Sequence, residues 1–149
     1  MFVQYYGMVE RPFADVEADL LAIGDALAES ADVAYRHGEG LLVKIRGGAV
    51  AKTVLLDLRA PARGASTTTL SLEWWATGTT ALFPRMEAEL TVADMGGSLT
   101  QVLFQGNYQP PLGSVGRMLD RAVLHRFAEV SVKDFVDRIV GLLSGSETG

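Results

Sequence analysis

The fold is decided by residues 75–127, which read WATGTTALFPRMEAELTVADMGGSLTQVLFQGNYQPPLGSVGRMLDRAVLHRF. Residues 82–92 and 99–108 each alternate between apolar and polar side chains, which is the two-residue period of a strand with one solvated face. Two adjacent glycines between these runs accept the positive φ angles of a hairpin turn. We therefore predict that the two strands pair antiparallel and that the face bearing Met86 and Phe104 enters the core.

A break and a long helix follow the hairpin. Pro110 and Pro111 lack the amide donors of a sheet ladder, so the second strand is predicted to stop there. Over residues 115–143, apolar side chains recur at three- and four-residue spacing, which predicts a long C-terminal helix with a buried stripe. Ser131 resembles an N-cap within this segment, so we expect the helix to bend near Val130.

The N-terminal half is predicted to hold the remaining strands. Residues 2–9 have the aromatic and β-branched content of a strand. Apolar residues from Phe13 to Leu27 are spaced by three and four, which predicts a first helix. Breaks containing glycine or proline then separate four further strands, at residues 33–37, 41–46, 50–59 and 66–77. Together with the hairpin, this makes seven strands.

The residues around the Pro-Pro break carry a family resemblance. They form a G-x-Y-x-P-P-L-G motif and a D-R-x-x-L-H-R motif, whose residues are Gly106, Tyr108, Pro110, Pro111, Leu112 and Gly113, and Asp120, Arg121, Leu124, His125 and Arg126. The segment resembles the helix-grip superfamily (SRPBCC), which includes START lipid-transfer domains, polyketide cyclases and plant pathogenesis-related proteins. Within that superfamily it resembles uncharacterised bacterial members.

The resemblance implies an α+β helix-grip fold: a curved seven-stranded antiparallel sheet wrapped around a long C-terminal helix, with a shorter N-terminal helix after strand one. Members usually carry two short helices there, whereas the spacing of this chain predicts little more than one. A length of 149 residues suits one domain. We expect a single START/SRPBCC-like domain over residues 1–143 and a disordered tail of small and polar residues over 144–149.

The resemblance also implies an apolar cavity between the sheet and the C-terminal helix. The favoured function is the binding or transport of a hydrophobic small molecule or lipid. The candidate lining residues are Leu56, Leu72, Trp74, Met86, Phe104 and Tyr108 from the strands and Met118, Leu119 and Ala122 from the helix, with Arg126 at the polar end. The same pattern is typical of an ordinary packed core, and that alternative stays open.

Two other functions stay open. A polyketide cyclase or aromatase-like enzyme would hold a flexible substrate in a reactive shape, with help from Arg126, His125 or Tyr108. No catalytic motif is visible, so no catalytic residue is assigned. A protein-interaction domain without a small ligand would instead have an interior filled by its own side chains.

The composition disfavours several other classes of protein. The net charge is −5 and the basic residues are scattered, which disfavours nucleic-acid binding. The chain has no Cys, and His37 and His125 fall on unrelated elements, so we predict no metal site and no cofactor. Glu87 and Glu89 share one side of a strand and are predicted to be surface residues rather than a catalytic pair.

The remaining expectations concern location and partners. The longest charge-free run contains Gln, Pro and Gly residues that argue against a membrane span, and the first ten residues lack the basic start and cleavage site of a signal peptide. A cytoplasmic protein is therefore expected. Trp74 and Trp75 must point to opposite faces of a strand, so one of them is expected near the surface, which is a reason to consider a homodimer.

Overall fold

The computed structural model describes residues 2–46, 54–76, 85–109 and 121–145. Within these ranges the protein has an α+β fold of six strands and three helices. The strands are β1 (Phe2–Val9), β2 (Val54–Leu58), β3 (Ala62–Arg63), β4 (Thr67–Ala76), β5 (Arg85–Asp94) and β6 (Thr100–Gln109), and the helices are α1 (Phe13–Ala22), α2 (Gly24–Arg46) and α3 (Arg121–Leu143). None of these helices combines the length and the apolar character that crossing a bilayer requires.

The strands form one antiparallel sheet in the order β1-β6-β5-β4-β2, with β3 paired to β4. The predicted hairpin is confirmed, because β5 and β6 pair antiparallel with Leu90 opposite Phe104. Gly96 and Gly97 in its turn have φ angles of 99° and 61°, the left-handed region that favours glycine. Buried and exposed residues alternate along β5 as the sequence pattern predicts.

Helix α2 corrects the sequence prediction for the N-terminal half. Strands were expected at residues 33–37 and 41–46, separated by a turn at Gly38 and Gly40. Both segments instead belong to one helix. Within the described residues the structure has six strands rather than the predicted seven, and β3 lies in what the sequence indicated to be a break between strands.

The physical reason for this error lies in the packing of α2. Leu27, Ala31 and Ala34 are buried at a spacing of four and three, and this helical period continues into the predicted strand. Gly38 permits a close helix contact rather than a turn. A Cβ atom at this position would lie 2.9 Å from Cδ2 of Phe127 on α3.

Two helices follow β1, although the spacing of the chain predicted little more than one. Helix α1 ends at Ala22 and α2 begins at Gly24, so the predicted apolar stripe from Phe13 to Leu27 is divided between them. The residue between the helices, Ile23, has φ −105° and ψ 31°, which interrupts the helical backbone.

Helix α3 packs on the inner face of the sheet. The ring centroid of Phe135 lies 5.1 Å from that of Trp74 on β4 and 5.9 Å from that of Phe104 on β6. The prediction that the C-terminal helix covers the face bearing Met86 and Phe104 is therefore confirmed.

Ser131 does not begin a new helix, and the N-cap prediction is wrong. Its Oγ donates a hydrogen bond of 2.8 Å to the carbonyl oxygen of Phe127, and α3 continues past it. A serine inside a helix can satisfy its hydroxyl group by donating a hydrogen bond to a carbonyl oxygen of the preceding turn. This arrangement lets Ser131 be buried in the helical stripe.

Helix α1 is fixed to the sheet by a carboxylate that is largely buried. Glu17 accepts hydrogen bonds from Nη2 of Arg63 on β3, at 3.0 Å, and from Oγ1 of Thr68 on β4. These bonds, that from Arg63 foremost, hold the pKa of Glu17 below its ordinary value. The contact joins the first helix to two strands that are far away in sequence.

Candidate ligand site between the sheet and helix α3

The strand residues predicted to line a cavity do share the inner face of the sheet. Those that are buried, each at most 4% exposed, are Leu72, Trp74, Met86, Phe104 and Tyr108. Leu56 is partly buried and packs against the same core. Their common orientation follows from the two-residue period of the strands. Their role as ligand contacts remains a prediction.

Four of these residues form one row across the end of the sheet. Trp74 on β4 lies between Leu56 on β2 and Met86 on β5, and Met86 in turn lies opposite Tyr108 on β6. Side chains opposed in this way on neighbouring antiparallel strands are about 5 Å apart at Cβ. We call Leu56, Trp74, Met86 and Tyr108 the end row. It is an apolar wall with a phenol at one end.

The row behind the end row has small residues at two neighbouring positions, on β5 and β6. Ala88 on β5 lies opposite Gly106 on β6. A Cβ atom added at Gly106 would come within 2.8 Å of Sδ of Met86 and 2.9 Å of Cε1 of Phe104. The missing side chain therefore gives these two larger side chains room to lean over the strand. Gly106 thus shapes the inner face next to the end row.

Aromatic rings fill the middle of the inner face. The centroids of Trp74, Phe104 and Phe135 are 5.1 to 5.9 Å apart, within the usual range of aromatic contacts. In this part of the interior, side chains pack on one another as the packed-core alternative expects. A ligand would therefore have to lie beside the end row, where Leu56 is only partly buried.

Tyr108 supplies the polar group of the end row. It is 1% exposed, and its ring centroid lies 6.4 Å from that of Phe127 on α3. Burial raises the pKa of Tyr108 above its ordinary value. The phenol therefore keeps its proton at neutral pH. It suits hydrogen bonding to an oxygen acceptor better than it suits proton abstraction.

The polar residues predicted near the start of α3 are exposed. Arg126 and His125 both face solvent, and Nε2 of His125 lies 3.5 Å from Glu129. The buried stripe of the helix runs through Phe127 and Ala128 instead. Arg126 therefore lies outside the buried stripe. Its role as a polar anchor for a ligand stays a prediction.

The helical lining residues lie largely beyond what the structure describes. Met118 and Leu119 fall outside the described residues. Ala122 lies in the first turn of α3, where the backbone is described but the side chain is not.

Sequence reasoning missed the aromatic residues that connect the helices to this site. The rings of Tyr35 on α2 and Phe127 on α3 meet edge to face, with centroids 5.1 Å apart. The helical spacing of apolar residues was the signal that could have identified them. In α3, buried residues are separated alternately by one and by three positions. These buried residues are Phe127, Ala128, Ser131, Val132, Phe135, Val136 and Ile139.

The outer face of the sheet is solvated and charged. Glu87 and Glu89 are exposed, as the alternation of β5 predicts. Trp75 points away from Trp74. The guanidinium of Arg85 lies 5.4 Å from the ring centroid of Trp75 and forms an ion pair with Glu73. Among the described residues, no group of three or more acidic or histidine side chains is arranged to hold a metal ion.

Comparison with known proteins gives a likeness of fold. No family model matches the sequence, and no curated protein matches it either. A conserved protein from Geobacillus kaustophilus has a similar structure, with a TM-score of 0.61 and 10% identity over 98% of this chain and 97% of that chain. A hypothetical protein from Helicobacter pylori has a TM-score of 0.53 and 14% identity, over 95% of this chain and 86% of that chain.

An enzyme is also among the structural neighbours. The ZhuI aromatase/cyclase from Streptomyces sp. R1128 has a TM-score of 0.52 and 13% identity, over 97% of this chain and 94% of that chain. These neighbours align along nearly the whole chain, so the α+β architecture as a whole is shared with them. At such low identity the likeness concerns the fold alone.

Proposed function

We propose that this protein binds a hydrophobic small molecule or lipid between the end row of the sheet and helix α3. The observation that carries the proposal is the end row itself, in which three large apolar side chains and a buried phenol lie side by side on four strands. Such a wall offers apolar contact area together with one group that can orient a ligand. The rings of Phe104 and Phe135, which pack against Trp74, would form the floor of the site.

Charge and polarity along the row restrict the ligand. The end row has no ionised group at neutral pH, and its groups suited to hydrogen bonding with an oxygen atom are the hydroxyl of Tyr108 and the indole N–H of Trp74. The best ligand would therefore be mostly apolar with one carbonyl, hydroxyl or carboxyl oxygen near Tyr108. Release of water from the apolar surfaces would supply most of the binding free energy, at about 25 cal/mol per Å².

Leu55 and Leu56 provide a matched test of this proposal. Leu56 faces inward beside Trp74, whereas Leu55 is 40% exposed on the opposite face of the same strand. Leu56→Trp should reduce the affinity for members of a panel of fatty acids and polycyclic aromatics, because the larger ring occupies the site. Leu55→Trp should bind like the wild type. Isothermal titration calorimetry measures both affinities, and circular dichroism checks that both variants fold.

Equal binding by the two variants would contradict the proposed site. Absence of binding to every member of the panel would favour the protein-interaction alternative.

A cyclase or aromatase-like activity is the second candidate, because an aromatase/cyclase shares this fold. Catalysis would then consist mainly of holding a flexible substrate in a reactive shape beside Tyr108. Conversion of a poly-β-keto model substrate by the wild type, and its loss in Tyr108→Phe, would distinguish an enzyme from a carrier. A ligand that binds unchanged would support the carrier.

A further inference from the structure

Strand β1 forms one edge of the sheet and lacks the usual protection of an edge. It pairs with β6 along all of its residues, and within the described residues no strand pairs with its other side. Natural proteins commonly protect such an edge with charged side chains, proline or a bulge. The sequence of β1, FVQYYGMV, contains neither a charge nor a proline, and its register with β6 is continuous.

The outer face of this edge strand carries Gln4 and three large exposed side chains. Phe2, Tyr6 and Met8 are 54%, 55% and 38% exposed, and all three point to the same side of β1. Single exposed apolar residues are normal, but a row of them beside an open strand edge is typical of an interaction surface. We call Phe2, Tyr6, Met8 and the adjoining backbone of β1 the edge surface.

Helix α3 leaves the edge surface accessible. A groove of about 140 Å³ lies between β1 and α3 and is lined by residues of both elements, among them Val3, Tyr5 and Lys133. Lys133 pairs with Asp137, with Nζ 2.8 Å from the carboxylate, and also lies 5.8 Å from the ring centroid of Tyr5, whose hydroxyl donates a hydrogen bond to Asp137. These contacts involve the side chain of Tyr5, which points to the opposite face of β1 from Phe2, Tyr6 and Met8, so pairing of an extended segment with the backbone of β1 does not require breaking them.

We propose that the edge surface pairs with β1 of a second copy of this chain, antiparallel about a two-fold axis at Tyr5. Residues directly opposed in such a ladder must point to the same face. An axis at Tyr5 meets this requirement. It places Phe2 of one copy opposite Met8 of the other, and Gln4 opposite Tyr6. The two sheets would then join into one.

The chemistry of β1 favours a second copy as the occupant. An uncharged strand opposes no like charges when it pairs with itself, and a two-fold contact uses the same surface on both sides. Moving the axis to Tyr6 would place Phe2 opposite the charged Glu10, so the register at Tyr5 is the better one. The surface is small compared with the usual interface of about 800 Å² per partner, so the dimer should be weak and depend on concentration.

The test is a charge exchange at the opposed positions Phe2 and Met8. Sedimentation equilibrium from low micromolar to near-millimolar concentration should show the wild type passing from monomer to dimer. Phe2→Lys and Met8→Glu should each weaken the dimer at least about tenfold, because each places a charge against an apolar partner. The double variant Phe2→Lys/Met8→Glu should recover it, because each lysine then lies opposite a glutamate of the other copy.

Two controls make the result specific. Phe2→Lys/Met8→Lys should remain monomeric, and Met95→Lys, at a residue 48% exposed beyond the end of β5, should dimerise like the wild type. Residues 2 and 8 of one copy are about 20 Å apart along the strand, so recovery cannot arise within one chain. A monomeric wild type over the whole range, a dimer unaffected by the charged variants, or equal behaviour of the two double variants would overturn the proposal.

Discussion

Gly38 on α2 lies directly against Phe127 on α3: a Cβ atom at Gly38 would be 2.9 Å from Cδ2 and 3.0 Å from the carbonyl oxygen of Phe127. The carbonyl belongs to the helix backbone and cannot turn aside as a side chain can. Because Tyr35 also contacts the ring of Phe127, this crossing joins α2 to the core covered by α3.

Gly38→Ala should therefore destabilise the protein, by about 1–3 kcal/mol for an overpacked contact. Gly24→Ala is the matched control, because nothing lies within 4 Å of a Cβ atom at Gly24. It should leave stability unchanged or raise it slightly. Urea unfolding of both variants measures the difference. Equal stability of the two would mean that the helices do not cross at Gly38.

The contact of Phe135 with Trp74 and Phe104 leads to a second prediction. Phe135→Ala removes a ring that is fully buried between the sheet and α3, and should cost about 3–5 kcal/mol in the free energy of unfolding. Met95→Ala, at an exposed residue, should change it by less than about 0.5 kcal/mol. A small effect at Phe135 would show that the aromatic cluster does not form the floor of the site.

Glu17 should make stability depend on pH. Its pKa in the folded protein is lowered below the ordinary value of 4.5 by Arg63 and Thr68. The ionised group therefore contributes stability above pH 4.5, and this contribution is lost as the pH falls through the lower folded pKa. Glu17→Gln should be less stable than the wild type at pH 7, and the gap should narrow below pH 4.5.

Arg63→Met provides the control for that effect, because it removes the largest cause of the lowered pKa while keeping Glu17. Its stability should fall less steeply than that of the wild type between pH 5 and pH 3. Urea midpoints measured across this range give the three curves. Parallel curves for all three proteins would contradict the assigned role of Glu17.

Tyr108→Phe should separate ligands by their polarity. Loss of one hydroxyl should weaken the binding of a ligand with an oxygen acceptor by about 0.5–1.5 kcal/mol, and should leave the binding of a pure hydrocarbon unchanged. Calorimetric titration with a fatty acid and with a polycyclic hydrocarbon makes the comparison. An equal loss for both would assign Tyr108 to packing alone.

The hairpin was predictable from the sequence because β5 and β6 alternate strictly and a glycine pair lies between them. The inner face, including the end row, follows from the same alternation, since a strand leaves each side chain only two directions. Helix α2 was not predicted, because Gly38 allows α2 to pack closely against Phe127 of α3, a residue far along the chain. A local pattern does not distinguish that use of glycine from a turn.

The placement of Arg126 shows a similar limit. The sequence predicted it at the polar end of a cavity, but Arg126 is exposed, and the stripe that meets the sheet runs through Phe127 and Phe135. One residue corresponds to about 100° of rotation, so a small error in the helical phase moves a charged side chain from the core to the solvent. The surface on which the helix packs, rather than the sequence of the helix alone, determines its rotation about its own axis.

The most direct measurement of ligand binding at the end row uses the neighbouring tryptophans. Trp74 faces the core and Trp75 faces the outer side of the sheet, so their indole N–H groups report on opposite faces. Trp74→Phe and Trp75→Phe assign the two indole signals in ¹H–¹⁵N correlation spectra. During titration with fatty acids and polycyclic aromatics, we expect the Trp74 signal to shift and saturate while the Trp75 signal stays in place. A Trp74 signal that no ligand moves, or a shift of Trp75 alone, would contradict ligand binding at the end row.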